Sequence, residues 1–186
     1  MGKPVYTEPE IIEGCCRKNI RFQEMLYRKY YGFGMSVCLR YHPRRNDAVE
    51  LLNDSFMKVF ENIDRFDPEK PFRSWFRRIL VNTCLDRYRE NKRFQILSEW
   101  EEDDVVVEAE YTGRMEAEEI LALLAELPEL YRLIFNLYEI EGYSHDEIAG
   151  MLHIAPGTSR SHLSRAKTLL RKAYLEKLNK PYHEAI

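Results

Sequence analysis

The chain has 186 residues, 45% of them hydrophobic and 32% charged, with a formal net charge of −3. That length supports one large or two small cores, and the balance is that of a soluble globular protein rather than a disordered chain. No apolar run approaches the roughly 20 residues that cross a bilayer, so no membrane insertion is expected. MGKPVYTEPE lacks the apolar stretch of a secretory signal, and Tyr6 breaks the myristoylation pattern that Met1-Gly2 begins. The four cysteines, Cys15, Cys16, Cys38 and Cys84, show no paired metal-ligand spacing. They are expected to be reduced, in a cytoplasmic protein.

In chain order, Phe22, Met25, Leu26, Tyr30, Phe33 and Val37 keep a helical period that His42-Pro43-Arg44-Arg45-Asn46 ends. A second helix follows, with Ala48, Leu51, Leu52, Ser55, Phe56, Val59, Phe60 and Ile63 on one stripe and Asp47, Glu50, Asp54 and Glu61 on the other side. It has a buried face and an acidic face. The stretch Arg65 to Pro71 is loop, because Pro68 and Pro71 stop helix propagation. Phe72, Trp75, Phe76, Ile79 and Leu80 then return to core spacing on a long helix whose exposed side carries Arg73, Arg77, Arg78, Asn82 and Arg89. Trp75 and Phe76 are assigned to its core. No strand alternation and no glycine-rich phosphate loop appears, so the predicted fold class is all-α.

Net acidity does not exclude a nucleic-acid partner, because the charges are segregated. Lys70 to Arg93 is opposed only by Asp86 and Glu90, and Arg160 to Lys180 only by Glu176. Between these basic stretches lies an acidic run, Glu99, Glu101, Glu102, Asp103, Asp104, Glu108 and Glu110, without clear periodicity. Two basic modules on an acidic tether should bind phosphates at two places. Fully extended, the segment from Phe94 to Met115 reaches roughly 70 Å at about 3.3 Å per residue.

The stretch GYSHDEIAGMLHIAPGTSRSHLSRAKTLL predicts two short helices across a tight turn. Ser144 and Glu147 form a capping-box pattern ahead of Ile148, Ala149 and Leu152. His153 and Ile154 lie in the turn, Ala155 is a poor cap, and Pro156 suits the first helical position, where a missing N–H costs nothing. Leu163, Ala166, Leu169 and Leu170 should face the first helix, leaving Thr158, Ser159, Arg160, Ser161, Ser164 and Arg165 on exposed N-terminal turns. Those turns are the part of a helix-turn-helix that meets base edges in the major groove. An antiparallel helix pair with a solvated basic face is the plainer alternative.

The succession DAVELLNDSFMKVFENIDRFD, FRSWFRRILVNTCLDRYRENKR, an acidic linker, LPELYRLIFNLYEIEGYSHDEIAGML and IAPGTSRSHLSRAKTLLRKA resembles bacterial RNA polymerase sigma factors of the extracytoplasmic-function (ECF) type. The resemblance runs from about Phe22 to Tyr174. It implies two small helical domains, region two over 20–93 and region four over 116–180, joined by an acidic linker over 94–115. An N-terminal segment, 1–19, and a tail, 181–186, have no assigned role. The resemblance also implies core RNA polymerase and promoter DNA as partners, an anti-sigma factor as a possible third, and no cofactor, metal or catalytic residue. Asp47, Glu50, Asn53, Asp54 and Lys58 would dock on a basic coiled coil of the polymerase's largest subunit. Arg65, Phe66, Arg73, Arg77, Arg78 and Asn82 would hold the minus-10 element, with the Arg65 to Pro71 loop forming a pocket for a flipped base. Thr158, Ser159, Arg160, Ser161, His162, Ser164 and Arg165 would read the minus-35 element. Departures from the family pattern at Ser159, His162 and Ser164 leave the sequence preference open.

The chemistry of these residues suits the roles. Aromatic rings and cations hold unstacked single strands, asparagine pairs with a base edge, and arginine forks onto guanine or clamps phosphate. Arg78 and Asn82 lie one turn apart on one face. The main competitor is a LuxR-like regulator that binds DNA without serving as a polymerase subunit; it usually carries an α/β sensor domain, of which the strand-free N-terminal half gives no sign. A nucleic-acid enzyme is weaker still, since the carboxylates form no metal set and the five histidines are scattered.

Overall fold

The computed structural model describes residues 6–98 and 115–179, and its first helix lies in the N-terminal segment that had no assigned role. The Glu10 carboxylate accepts from the backbone N–H of Thr7 at 2.7 Å and from its hydroxyl at 2.8 Å, starting α1 (Glu8–Cys16). The helix stops at Lys18, whose φ of 57° is left-handed. It packs against the short 3-10 turn Ile63–Arg65, toward which the Cys16 thiol donates to the Ile63 carbonyl at 3.8 Å. Glu8 is also held by the Tyr30 hydroxyl at 2.7 Å and by Lys29 at 2.6 Å.

The next helices follow the apolar periodicity closely. They are α2 (Ile20–Tyr41), α3 (Arg45–Asn62) and α4 (Phe72–Ser98). Leu26, Tyr30 and Val37 of α2, Ala48, Leu51, Leu52, Phe56 and Val59 of α3, and Phe72, Phe76, Leu80 and Leu85 of α4 are buried together. Phe56 and Phe76 meet at a centroid distance of 4.7 Å, and Tyr30 and Phe72 at 4.8 Å, the spacing at which aromatic pairs attract beyond their burial. Gly34 makes this packing feasible. A Cβ there would overlap Leu52 Cδ1 and press on the Phe76 ring, so only a bare backbone lets α2 come this close to α3. All four cysteines are free thiols, and burial pushes that of Cys15 up to about 11.

The remaining helices are α5 (Met115–Ala125), α6 (Glu129–Phe135), α7 (His145–Leu152) and α8 (Pro156–Asn179). After α6 the chain widens into a π-type turn, Asn136–Ile140, in which the Glu141 N–H donates to the Asn136 carbonyl at 3.0 Å. The capping box at Ser144 forms as its pattern predicts: Glu147 accepts from the Ser144 N–H at 2.8 Å and from its hydroxyl at 2.7 Å. His153 closes α7 in the left-handed region, with φ 54° and its N–H on Ala149, and Pro156 opens α8. Ile148, Ala149, Leu152 and Leu163 are buried, and Ala166 joins Leu124 and Leu127, with Leu170 partly buried on the same cluster. Leu169 departs from expectation at 41% exposed. The cluster on α5 and α6 draws in Ala166 and Leu170, one turn apart, and Leu169 falls outside their stripe.

The described residues are helical or irregular, without a strand, so the all-α expectation holds. The chain divides into two compact units, Met1–Leu39 with Asn46–Tyr88, and Arg40–Arg45 with Arg89–Ile186. The helix α4 runs past Arg93 to Ser98, into the stretch read as linker, since no glycine or proline interrupts it there. The acidic run from Glu99 to Glu110 and the tail 181–186 lie outside the described residues. None of the described helices is long and apolar enough to cross a membrane.

Candidate nucleic-acid interface

Within the first unit, α3, the turn after it and α4 enclose an open pocket of about 400 Å³. Lys58 and Asn62 line it from α3, Arg65 from the turn, and Trp75, Ile79, Asn82 and Asp86 from α4. The α4 members recur at three- and four-residue spacing, so one helical stripe supplies that wall. The Lys58 ammonium reaches Asp86 at 3.0 Å, and the Asn62 side-chain N–H donates to the Lys58 carbonyl at 2.9 Å. These bonds fix three lining side chains, Lys58, Asn62 and Asp86. Asn82 is exposed and Trp75 half-buried, which leaves an amide edge and part of an indole face open to an incoming planar group.

The structure therefore brings Arg65 and Asn82 together and adds Trp75, which periodicity had placed in the core. Arg78, exposed one turn before Asn82, lies beside the mouth. Arg73 and Arg77 are absent from the lining, and the Arg73 guanidinium sits over the Phe33 ring at 4.3 Å from its centroid. Phe66, expected among the residues that hold the minus-10 element, lies inside the fold. It is buried at 9%, with its ring 5.5 Å from Phe72 and 5.3 Å from Trp75, so it backs the indole instead of facing solvent. Lys58, Asn62 and Asp86 were missed as pocket residues, although the polar pairs Lys58/Asn62 and Asn82/Asp86 at i, i+4 on successive helices carried a usable signal.

On α8, Arg160, Ser161, Ser164 and Arg165 are exposed, and Thr158 is partly so. Ser161 donates to the Thr158 carbonyl at 2.9 Å, and Arg165 reaches the Tyr131 hydroxyl at 3.3 Å, which steadies its guanidinium without covering it. Ser159 is corrected. It is wholly buried, its hydroxyl 2.9 Å from Nδ1 of His145, because the fourth residue of α8 turns inward onto α7. His162 is half-buried with its ring 4.8 Å from Tyr131; burial, then the charge of Arg165, holds its pKa below the ordinary histidine value. The basic, exposed surface of this turn thus reduces to Arg160 and Arg165 with small hydroxyls between them.

The acidic side of α3 is also more organised than its pattern indicates. Asn53 accepts from the Tyr27 hydroxyl at 3.0 Å, while Glu50 and Asp54 both engage Arg87 of α4. Asp47 is partly buried at the start of the helix.

Comparison with known proteins agrees with both halves of this layout. The family model for Sigma-70 region 2 matches residues 26–94, and that for Sigma-70, region 4 matches residues 117–170. The chain is 31% identical over 147 residues to the ECF RNA polymerase sigma factor SigE of Mycolicibacterium smegmatis, covering 76% of this chain and 56% of that protein. It is 28% identical to ECF RNA polymerase sigma factor SigW of Bacillus subtilis, covering 73% of this chain and 80% of the relative. The ECF RNA polymerase sigma-E factor of Haemophilus influenzae is 27% identical, with 88% and 93% covered. A solved structure of the sigma factor RpoE in complex with the anti-sigma factor NepR from Bartonella quintana shares the fold, with a TM-score of 0.51, 22% identity, and 84% of this chain and 98% of that chain covered. The region-two match occupies the part of the chain where a LuxR-like regulator would carry its sensor, so that alternative is not favoured. With regions two and four in sequence order, and ECF relatives spanning both, the chain belongs to the ECF group of RNA polymerase sigma factors.

Proposed function

We propose that this chain is an alternative sigma factor that binds core RNA polymerase and directs it to promoters, and that the pocket beside Asn82 receives an unstacked base of the minus-10 element. The observation that carries this reading is the convergence of an exposed amide, a half-open indole and Arg65 on one pocket of about 400 Å³ inside the region-two match. An indole face offsets the base stacking lost on opening, the amide reads a base edge, and the guanidinium neutralises phosphate. Arg78 extends the phosphate track. Arg160 and Arg165, with Thr158, Ser161 and Ser164, contact the minus-35 element, and Asp47, Glu50, Asn53, Asp54 and Lys58 form the face that docks on core polymerase. The region-two domain occupies 20–93, the region-four domain 116–180, and the acidic segment between them is the tether.

The factor itself is non-catalytic and works where the polymerase works, in the cytoplasm; bond formation belongs to the polymerase. An anti-sigma factor is a further proposed partner, since the similar Bartonella quintana protein was solved with one. Run-off transcription tests the reading. Purified core polymerase should give specific transcripts from the factor's promoters only when this chain is added. Promoter binding by the chain with no co-migration with core enzyme would refute it and favour a stand-alone regulator.

A further inference from the structure

Glu50 and Asp54 lie one helical turn apart on the exposed side of α3, where like charges repel weakly. Arg87 answers both. Its Nη1 donates to Glu50 Oε2 at 3.2 Å and its Nη2 to Asp54 Oδ2 at 3.1 Å, so the two arms of one planar guanidinium take one oxygen from each carboxylate. The arginine side chain is only 28% exposed, whereas Glu50 keeps 62% and Asp54 50%. The carboxylates are therefore fixed from behind and remain open in front. On the neighbouring side the Tyr27 hydroxyl holds the Asn53 amide in the same manner.

From this geometry we infer that Arg87 is a positioning residue of the polymerase-docking face: it locks Glu50 and Asp54 into a paired acceptor for a basic partner surface and stays in place when the partner binds. The inference rests on reading the α3 face as that docking surface. Two effects of removing Arg87 oppose each other. The face gains one negative charge, which strengthens long-range attraction to a basic partner, but two flexible side chains must then be ordered at binding. Near physiological ionic strength exposed charges are screened beyond about 8 Å, so the ordering effect dominates. Both carboxylates are half-exposed or more, where solvent screening keeps an ion pair's contribution to folding small, so the consequence falls chiefly on association.

The test uses the full chain and purified bacterial core RNA polymerase, with dissociation constants measured across a salt series and melting followed by circular dichroism. Arg87→Ala should weaken binding about three- to tenfold at physiological salt, the scale of freeing one or two side chains, with melting nearly unchanged. Arg87→Lys should recover only part of the loss, since a point charge cannot fork. In a Glu50→Ala/Asp54→Ala background, Arg87→Ala should add nothing, because its action runs through those two carboxylates. Unchanged or tighter binding by Arg87→Ala, or an equal further loss in that background, would overturn the inference while leaving the docking face standing. If charge reversal at Asp47, Glu50 and Asp54 leaves core affinity unaltered, the docking face itself fails and this inference with it.

Discussion

The Ser159 hydroxyl and the His145 imidazole meet at 2.9 Å, tying the buried side of α8 to the first turn of α7. The contact sits inside the helix-turn-helix, where Tyr138 also stacks on the histidine at 4.4 Å. Ser159→Ala should therefore lower stability by about 1 kcal/mol, the usual worth of one intramolecular hydrogen bond, without altering minus-35 preference. Thermal melting and competition binding with mutated upstream elements separate the two effects. A changed base preference with unaltered melting would return Ser159 to the DNA surface.

Asn82→Ala should impair selection or opening at the minus-10 element while leaving core binding intact, because the amide is exposed on α4 at the pocket and is not part of the acidic face of α3. Trp75→Ala should cost about 1 to 3 kcal/mol in capture of the opened strand, as loss of a stacking platform does. Permanganate reactivity of unpaired thymines at the element reports both. Wild-type reactivity in each variant would remove the pocket from promoter opening.

For Arg165, exposed and steadied by the Tyr131 hydroxyl, replacement by alanine should cost about 1 to 3 kcal/mol and relax preference at one upstream position. Binding measured over a panel of minus-35 variants distinguishes base reading from phosphate clamping. A uniform loss across the panel would assign the clamp.

The Glu147 carboxyl is held below its ordinary value of 4.5, first by the hydrogen bond from the Ser144 backbone N–H and then by that from its hydroxyl. A carboxyl whose pKa is lower folded than unfolded contributes stability that is fully present above the unfolded value and is lost as pH falls through the folded one. The melting difference between wild type and Glu147→Gln should accordingly be open at neutral pH and close below the carboxylate range. A difference that stays constant with pH would exclude the cap as its source.

Features written in adjacent residues are legible in the sequence. The Ser144/Glu147 cap, the Pro156 helix start and the apolar stripes of α2, α3 and α4 depend on local spacing, and they form where spacing puts them. What escaped depends on distant partners. Ser159 lies inward because His145 waits for it, Leu169 outward because α5 and α6 engage its neighbours, and Glu50 with Asp54 are bridged by an arginine more than thirty positions away. Trp75 falls between categories. Core periodicity describes its helix position, but the adjoining turn leaves part of its ring in a pocket, and no single-helix pattern contains that turn. The α1 cap was readable from Thr7 and Glu10, yet the charged and proline-bearing start of that segment masked a helix that packs on the turn carrying Arg65.

Gly34 carries a mechanical corollary. Leu52, which a Cβ there would strike, is wholly buried and has little room to swing aside, so even a methyl group would act as a wedge along the α2–α3 seam. The Tyr27 hydroxyl and the Asn53 amide straddle that same seam farther along. Interior thickness at one point thus sets the spacing of hydrogen-bonding groups on the outer rim, and a lesion no partner could ever touch would be felt as a misaligned handhold on the face proposed to meet the polymerase.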